Sequence, residues 1–226
     1  MLFRQLFDRE SSTYTYLIAD LQTKAAILVD PVIEQLARDT QLLTELDLNL
    51  KFCLETHIHA DHITGTGKLR EITGCQGIVP ENAALSCADG LIKDGTIITL
   101  GTVTLQAIAT PGHTDSHMSY LVNDLLVLTG DALLIRGCGR TDFQSGDPET
   151  LYDSVTQKLF TLPDETLVYP AHDYNGQTVS TIGEEKQWNP RFKRDRSSFI
   201  ELMNNLNLPY PQKMMQAIPA NERCGN

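Results

Sequence analysis

The chain has 226 residues, 41% hydrophobic and 21% charged, which is enough apolar material for a sizeable core and not the make-up of a disordered segment. A formal net charge of −11 excludes nucleic acid and anionic membranes as bulk partners, because phosphate binding needs a basic footprint. No run of about eighteen apolar residues is present, and the opening "MLFRQLFDRESSTYTYLIAD" lacks the apolar core of a signal peptide, so the expected setting is the cytoplasm.

In chain order, "YTYLIAD" (14–20) and "AAILVD" (25–30) read as strands separated by the turn-like "LQTK". Pro31 opens a helical pattern carried by Val32, Leu36, Leu42, Leu43 and Leu46. "LKFCLET" (50–56) is a further buried strand, followed by a short helix at "KLREIT" (68–73) that Gly74 closes. "TIITL" and "TVTLQAIA" form a hairpin over 96–109 about Gly101, and "MSYLV" and "DLLVLTGD" form a second about Asn123-Asp124. A helix is predicted at about 148–160, a strand at "TLVYPAH" (166–172), and helices near 180–187 and 195–206. The tail from Pro209 reads as irregular. With no repeats or long linker, the chain is expected to be one α/β domain over 1–226. Two packed sheets with outer helices and a doubly wound sheet both fit this order.

Cys53, Cys75, Cys87, Cys138 and Cys224 are odd in number and scattered, with no C-x-x-C. That predicts free thiols in a reducing compartment.

Chemistry concentrates in "THIHADH", where His57, His59, Asp61 and His62 fall within six residues. Three histidines and an aspartate have little reason to share a core unless they are paired, because burying them alone is costly. His113 in "TPGHTDSH", Asp131 in "LTGDAL" and His172 in "YPAHDY" each follow a strand-like run as well. Loops at equivalent strand ends are where sites are usually built. Imidazole and carboxylate donors suit zinc, iron or manganese, and the lack of cysteine ligands favours a catalytic over a structural ion. His117 has no motif of its own and reads as structural.

H-x-H-x-D-H after a strand, with the later His, Asp and His, resembles the metallo-β-lactamase fold. The resemblance implies an αβ/βα sandwich of two packed mixed sheets with helices on the outer faces. "GDALLIRGCGRTDFQSGDPETLYDSV", "YPAHDYNGQTVSTIGEEKQWNPRF" and "IPANERCGN" are similar to the glutathione persulfide dioxygenases. That likeness implies one Fe(II) per chain held by His57, His113 and Asp131, with no organic cofactor. His59, Asp61, His62 and His172 would then surround the iron or, as in glyoxalase II, hold a second metal. Two metals about 3.5–4 Å apart suit hydrolysis, whereas a two-His, one-carboxylate iron keeps positions open for sulfur and O₂. All seven ligand types of a two-metal site are present, so the ligands alone permit either.

By the same resemblance, Arg140 and Arg191 would bind the carboxylates of glutathione persulfide, and Tyr174 would meet the substrate near its sulfur, as a binding and catalytic group. Arginine suits carboxylates because its fork is bidentate. Arg136 and the run "NPRFKRDR" are the other basic candidates, Asp142 could orient Arg140 or meet the substrate amine, Cys138 reads as a packing residue, and Cys224 could approach the site. The implied reaction turns glutathione persulfide, O₂ and water into sulfite and glutathione. A two-metal hydrolase of S-acyl-glutathione is the alternative, and a non-catalytic persulfide sensor a third. A homodimer or higher homo-oligomer is compatible with the chain. No rhodanese domain is expected to be fused to it.

Overall fold

A computed structural model describes residues 1–225. The strands are β1 (Leu2–Phe7), β2 (Tyr14–Ala19), β3 (Ala25–Val29), β4 (Asn49–Leu54), β5 (Gln76–Pro80), β6 (Gly90–Ile92), β7 (Ile97–Leu100), β8 (Val103–Ala109), β9 (Met118–Val122), β10 (Leu126–Gly130), β11 (Leu167–Pro170) and β12 (Ser180–Thr181). The helices are α1 (Leu36–Glu45), α2 (Thr66–Thr73), α3 (Pro148–Gln157), α4 (Ile182–Trp188), α5 (Arg196–Asn204) and α6 (Met214–Asn221). Two six-stranded sheets result, in the orders β1-β2-β3-β4-β5-β6 and β12-β11-β10-β9-β8-β7. Both are mixed, as expected of two sheets with helices. Among the described residues no helix is long and apolar enough to cross a membrane.

The chain divides into two compact units. The first comprises Met1–Ile92, Ile98–Thr104 and the tail from Tyr210. Here β1, β2 and β3 run antiparallel, then β3 to β6 run parallel. Parallel neighbours need a crossover. α1 provides it between β3 and β4, and α2 between β4 and β5. Every residue of β2 and β3 is buried, so these read as near-continuous apolar runs. Leu17, Leu28, Leu43, Leu50, Cys53 and Leu69 share one core cluster. Gly74 ends α2 in the left-handed conformation at φ 74°, its N–H returning to Arg70 O.

The second unit comprises Lys93–Ile97 and Leu105–Pro209. β8, β9 and β10 are antiparallel, β10 and β11 parallel, with α3 in the crossover. Asn123 and Asp124 both take positive φ, 48° and 55°, as the centre of a type I′ turn requires, and Leu125 N closes that turn on Val122 O. Asp147 caps α3 by accepting from Glu149 N and Thr150 N, with Pro148 opening the helix. Leu133, Leu151, Val155, Val168 and Phe199 form its core.

Three expectations need correction. β1, β5 and β6 add strands that the alternation did not show: β5 is interrupted by Gly77 and ends on Pro80. The tail is not irregular, since α6 forms there despite Pro219 within it, a residue that breaks helix patterns by removing one N–H donor. Nor are all five cysteines free: Cys87 and Cys224 form a disulfide across a sequence separation of 137, which no local pattern reveals.

Candidate metal centre

The segment Thr56–His62 leaves the end of β4 and turns towards α2. His57, His59 and His62 are all at most 1% exposed. Their rings lie side by side and tilted, with centroids 4.1 Å apart for His57–His59 and 4.3 Å for His59–His62. Asp30, just past β3, organises this turn. Its carboxylate accepts Thr56 N at 2.7 Å and Thr56 Oγ1 at 2.9 Å, and lies 3.1 Å from His59 Nε2. Thr56 thus gives its one hydroxyl proton to Asp30, and its oxygen, 2.9 Å from His57 Nδ1, accepts from that ring. His57 is thereby held with Nδ1 protonated and its lone pair on Nε2.

Glu55 accepts Thr64 Oγ1 at 2.5 Å and Thr66 Oγ1 at 2.6 Å, and its other oxygen is 3.5 Å from His59 Nε2. Burial opposes charge on His59, but the carboxylates of Asp30, Glu55 and Asp61 outweigh it and hold the imidazole pKa well above its ordinary value. Asp61 lies 2.8 Å from His62 Nδ1 and accepts Thr13 Oγ1 at 3.1 Å. His59, Asp61 and His62 present ligand atoms within 4.8 Å of one another, and so do Asp30, Glu55 and His59. His59 Nδ1 and His62 Nε2 are buried without a hydrogen-bond partner, whereas His59 Nε2 faces the Asp30 and Glu55 carboxylates. A small pocket beside His57 and His59 is walled by Ile58, Val79, Leu85, Asn221 and Cys224.

In the second unit, His113 follows β8, Asp131 follows β10 and His172 follows β11. Asp131 is the hub: its carboxylate lies 3.5 Å from His113 Nε2 and 3.7 Å from His172 Nε2. Asp131 Oδ1 is buried with no hydrogen-bond partner. His113 Nδ1 is 2.6 Å from Arg140 O, an acceptor that fixes the proton on Nδ1 and leaves Nε2 as the ligand atom. His117 Nε2 accepts the backbone N–H of Asp131 at 3.0 Å, and its Nδ1 lies 2.9 Å from Thr110 Oγ1. Gly139 sits where a Cβ would be 2.7 Å from both His113 Nδ1 and Asp131 O, so only glycine fits the "GCG" turn.

Residues 8–172 match the metallo-β-lactamase superfamily. Persulfide dioxygenase ETHE1, mitochondrial, of Bos taurus is 51% identical over all of this chain and 89% of its own length. The Homo sapiens protein of that name is 50% identical with the same coverage. The crystal structure of ETHE1 from Myxococcus xanthus superposes at a TM-score of 0.97 with 56% identity, covering 100% of both chains. The chain belongs to the persulfide dioxygenases of the metallo-β-lactamase superfamily.

The donor set fits a metal-binding member of that superfamily. Carboxylates and imidazoles cluster around His59 in the first unit, His113 and His172 flank Asp131 in the second, and His62 Nε2 and Asp131 Oδ1 are buried without a hydrogen-bond partner. The basic residues Arg136, Arg140, Arg191 and Arg196 all have partners within the protein, and Arg140 pairs with Asp142 as expected. Arg140 grips Asp142 with both prongs at 2.6 and 2.7 Å, gives Nη1 to Pro209 O at 2.7 Å, and lies over the Phe143 ring. That pairing holds the Asp142 carboxyl below its usual range. Arg191 gives Nη1 to Cys138 O at 2.7 Å. Tyr174 is 72% exposed and stacks on His172 with centroids 6.1 Å apart. Arg136 pairs with Glu184 and Glu185, and Arg196 with Glu149 and Asp153, so neither is an idle cation. Burial pushes the Cys138 thiol up to about 11, consistent with a packing role. Asp30, His117 and Asn221 bond to the candidate ligand residues or their backbone and carry no local motif; only the four-residue string around His57 marks where such partners should be sought.

Proposed function

We infer that this protein is a persulfide dioxygenase that oxidises glutathione persulfide with O₂ and water to sulfite and glutathione. The observation that carries the reading is the 51% identity to a persulfide dioxygenase across the whole chain. We propose that one Fe(II) is held by His57, His113 and Asp131. The tautomers support this: Thr56 Oγ1 and Arg140 O each accept a hydrogen bond from an Nδ1–H, which puts the lone pair of His57 and of His113 on Nε2. When bound, iron(II) with two imidazoles and one carboxylate supplies a redox-active centre with open positions for a sulfur donor and O₂.

The remaining chemistry belongs to the protein. His59, Asp61, His62 and His172 are proposed to surround the iron and orient its ligands. Tyr174 is proposed to meet the substrate sulfur, with His172 stacked behind its ring. Arg140 and Arg191 are proposed to hold the two glutathione carboxylates. A substrate carboxylate must then compete with Asp142 and Pro209 O for Arg140, and with Cys138 O for Arg191. Asp142 holds the planar Arg140 fork in one orientation until substrate arrives. Residues 1–226 are proposed to act as one catalytic domain. A cytoplasmic setting is proposed from the sequence; the Cys87–Cys224 disulfide runs against a wholly reduced chain, and the mammalian relatives are named mitochondrial.

The test is oxygen uptake with glutathione persulfide by iron-loaded protein, with sulfite measured as product. Uptake no greater than that of the metal-free control refutes the reading. One observation favours a second reading, a two-metal hydrolase of S-acyl-glutathione: His59, Asp61 and His62 cluster as a further ligand group. Metal analysis of anaerobically purified protein separates the two, one iron per chain supporting the dioxygenase and two metals with acyl-glutathione hydrolysis supporting the hydrolase.

A further inference from the structure

We propose that Asn221 is a positioning residue for the histidine loop, and that the Cys87–Cys224 disulfide fastens it there, so that thiol–disulfide state sets how firmly the loop is held. The proposal rests on the function above only in taking His57 as a metal ligand.

Asn221 is the last residue of α6 and is 4% exposed. Its amide nitrogen donates to His59 O at 2.9 Å and to His62 O at 2.8 Å. Its oxygen accepts Thr64 N at 2.9 Å. One side chain thus ties three backbone groups spread across the loop. The chain after it is seated on the same segment. Gly67 N donates to Cys224 O at 2.9 Å, and a Cβ on Gly225, which has φ 83°, would lie 2.2 Å from Thr64 O.

α6 has little hold of its own. It is eight residues long, contains Pro219, and buries only Ala217 and Asn221. A helix this short is not stable in isolation. Lys213, paired with Glu10 and Glu34, anchors its start. The disulfide anchors its end, three residues beyond Asn221. Cys224, at 4% exposure, walls the pocket beside His57 and His59, while Cys87 is half-buried.

Exposure sets the order of the chemistry. A small-molecule thiolate attacks Cys87 Sγ, the accessible sulfur. The S–S bond breaks, its electron pair leaves on Cys224 Sγ, and a mixed disulfide remains on Cys87. A second thiolate attacks the small molecule's sulfur, releasing its disulfide and the Cys87 thiolate. Two electrons enter the cysteine pair, two protons are taken up, and two small thiols become one disulfide. Thiols are the class of compound the proposed reaction releases. Once the tether opens, α6 lifts from the loop and the three Asn221 hydrogen bonds are lost together.

The experiment uses the full chain, disulfide-bonded or reduced with tris(2-carboxyethyl)phosphine. It reads amide exchange of residues 57–67, release of bound cobalt(II) to a chelator, and the visible spectrum of the cobalt form. Reduction is expected to speed exchange and cobalt release by about tenfold or more and to shift the cobalt bands. Cys87→Ser should behave as reduced protein without phosphine and show no further response. Asn221→Asp keeps the acceptor for Thr64 N but loses both donors, and should exchange fast in either state. Equal exchange in the two states of the wild type overturns the proposal, as does a phosphine response that persists in Cys87→Ser. The wild-type comparison needs no variant, so a misfolded mutant leaves it decisive. Faster exchange with unchanged cobalt release supports the latch and overturns the assignment of His57 to the metal.

Discussion

Replacing Asp30 by alanine should destabilise the protein more than any change among its exposed carboxylates, although Asp30 is not a proposed ligand. Asp30, Thr56 and His59 are each 1% exposed, so solvent does not screen their interactions. Alanine removes the acceptor of Thr56 N at 2.7 Å and of Thr56 Oγ1 at 2.9 Å, and the carboxylate 3.1 Å from His59 Nε2. A hydrogen bond to a charged group contributes about 1.5–3 kcal/mol, and breaking one side of a buried ion pair costs about 3–5 kcal/mol. These contributions overlap, so the expected loss is about 4 kcal/mol rather than their sum. The isosteric change Asp30→Asn keeps one acceptor for Thr56 N but loses the charge, and the loss should be about 2–3 kcal/mol. Urea unfolding of the metal-free protein, followed by circular dichroism, measures both. With a slope of about 3 kcal/mol/M, Asp30→Ala should move the midpoint down by more than about 1 M. A shift below about 0.3 M would refute the reasoning, and equal shifts for the alanine and asparagine variants would show that the charge does not matter.

Three further outcomes are expected. His117→Ala leaves the Asp131 N–H without its 3.0 Å acceptor and should lower metal affinity about 10–100-fold, read by competition with a chromogenic chelator. Gly139→Ala drives a Cβ to 2.7 Å from His113 Nδ1 and should abolish metal retention at a stability cost of about 1–3 kcal/mol, read by metal analysis and thermal melting. Asp20 accepts hydrogen bonds from Thr102 Oγ1, Thr102 N and Thr23 N, which hold its carboxyl far below the usual range. A depressed folded-state pKa gives stability that is full above the unfolded value of about 3.9 and is lost as pH falls below it, so Asp20→Asn should flatten the acid limb of the stability curve.

How much of this was readable in the sequence depends on the range of each interaction. The β9–β10 hairpin was legible because Asn123 and Asp124 alone determine the turn. The placement of α2 followed from Gly74, and the ligand candidates followed from their positions after strand-like runs. Asn221 was not legible, because its partners His59 and His62 lie 162 and 159 residues away. The same holds for the Cys87–Cys224 pair, and for Asp30, whose role appears only once β3 and β4 lie side by side. The family resemblance supplied the ligand assignment, and the nearby Asp142 was legible as a partner of Arg140; the Arg191 bond to Cys138 O, across 53 residues, was not. His117 was passed over for the opposite reason: a histidine without a motif is usually structural, and here the structural bond is made to Asp131.

The turn around His59 gathers the carboxylates of Asp30, Glu55 and Asp61 about one ring. Thr56 holds Asp30 in place, and Thr64 and Thr66 hold Glu55, so these donors are set before any ion arrives. An ion that binds only the folded chain stabilises it by the free energy of binding, so the protein's resistance to unfolding should rise with metal concentration.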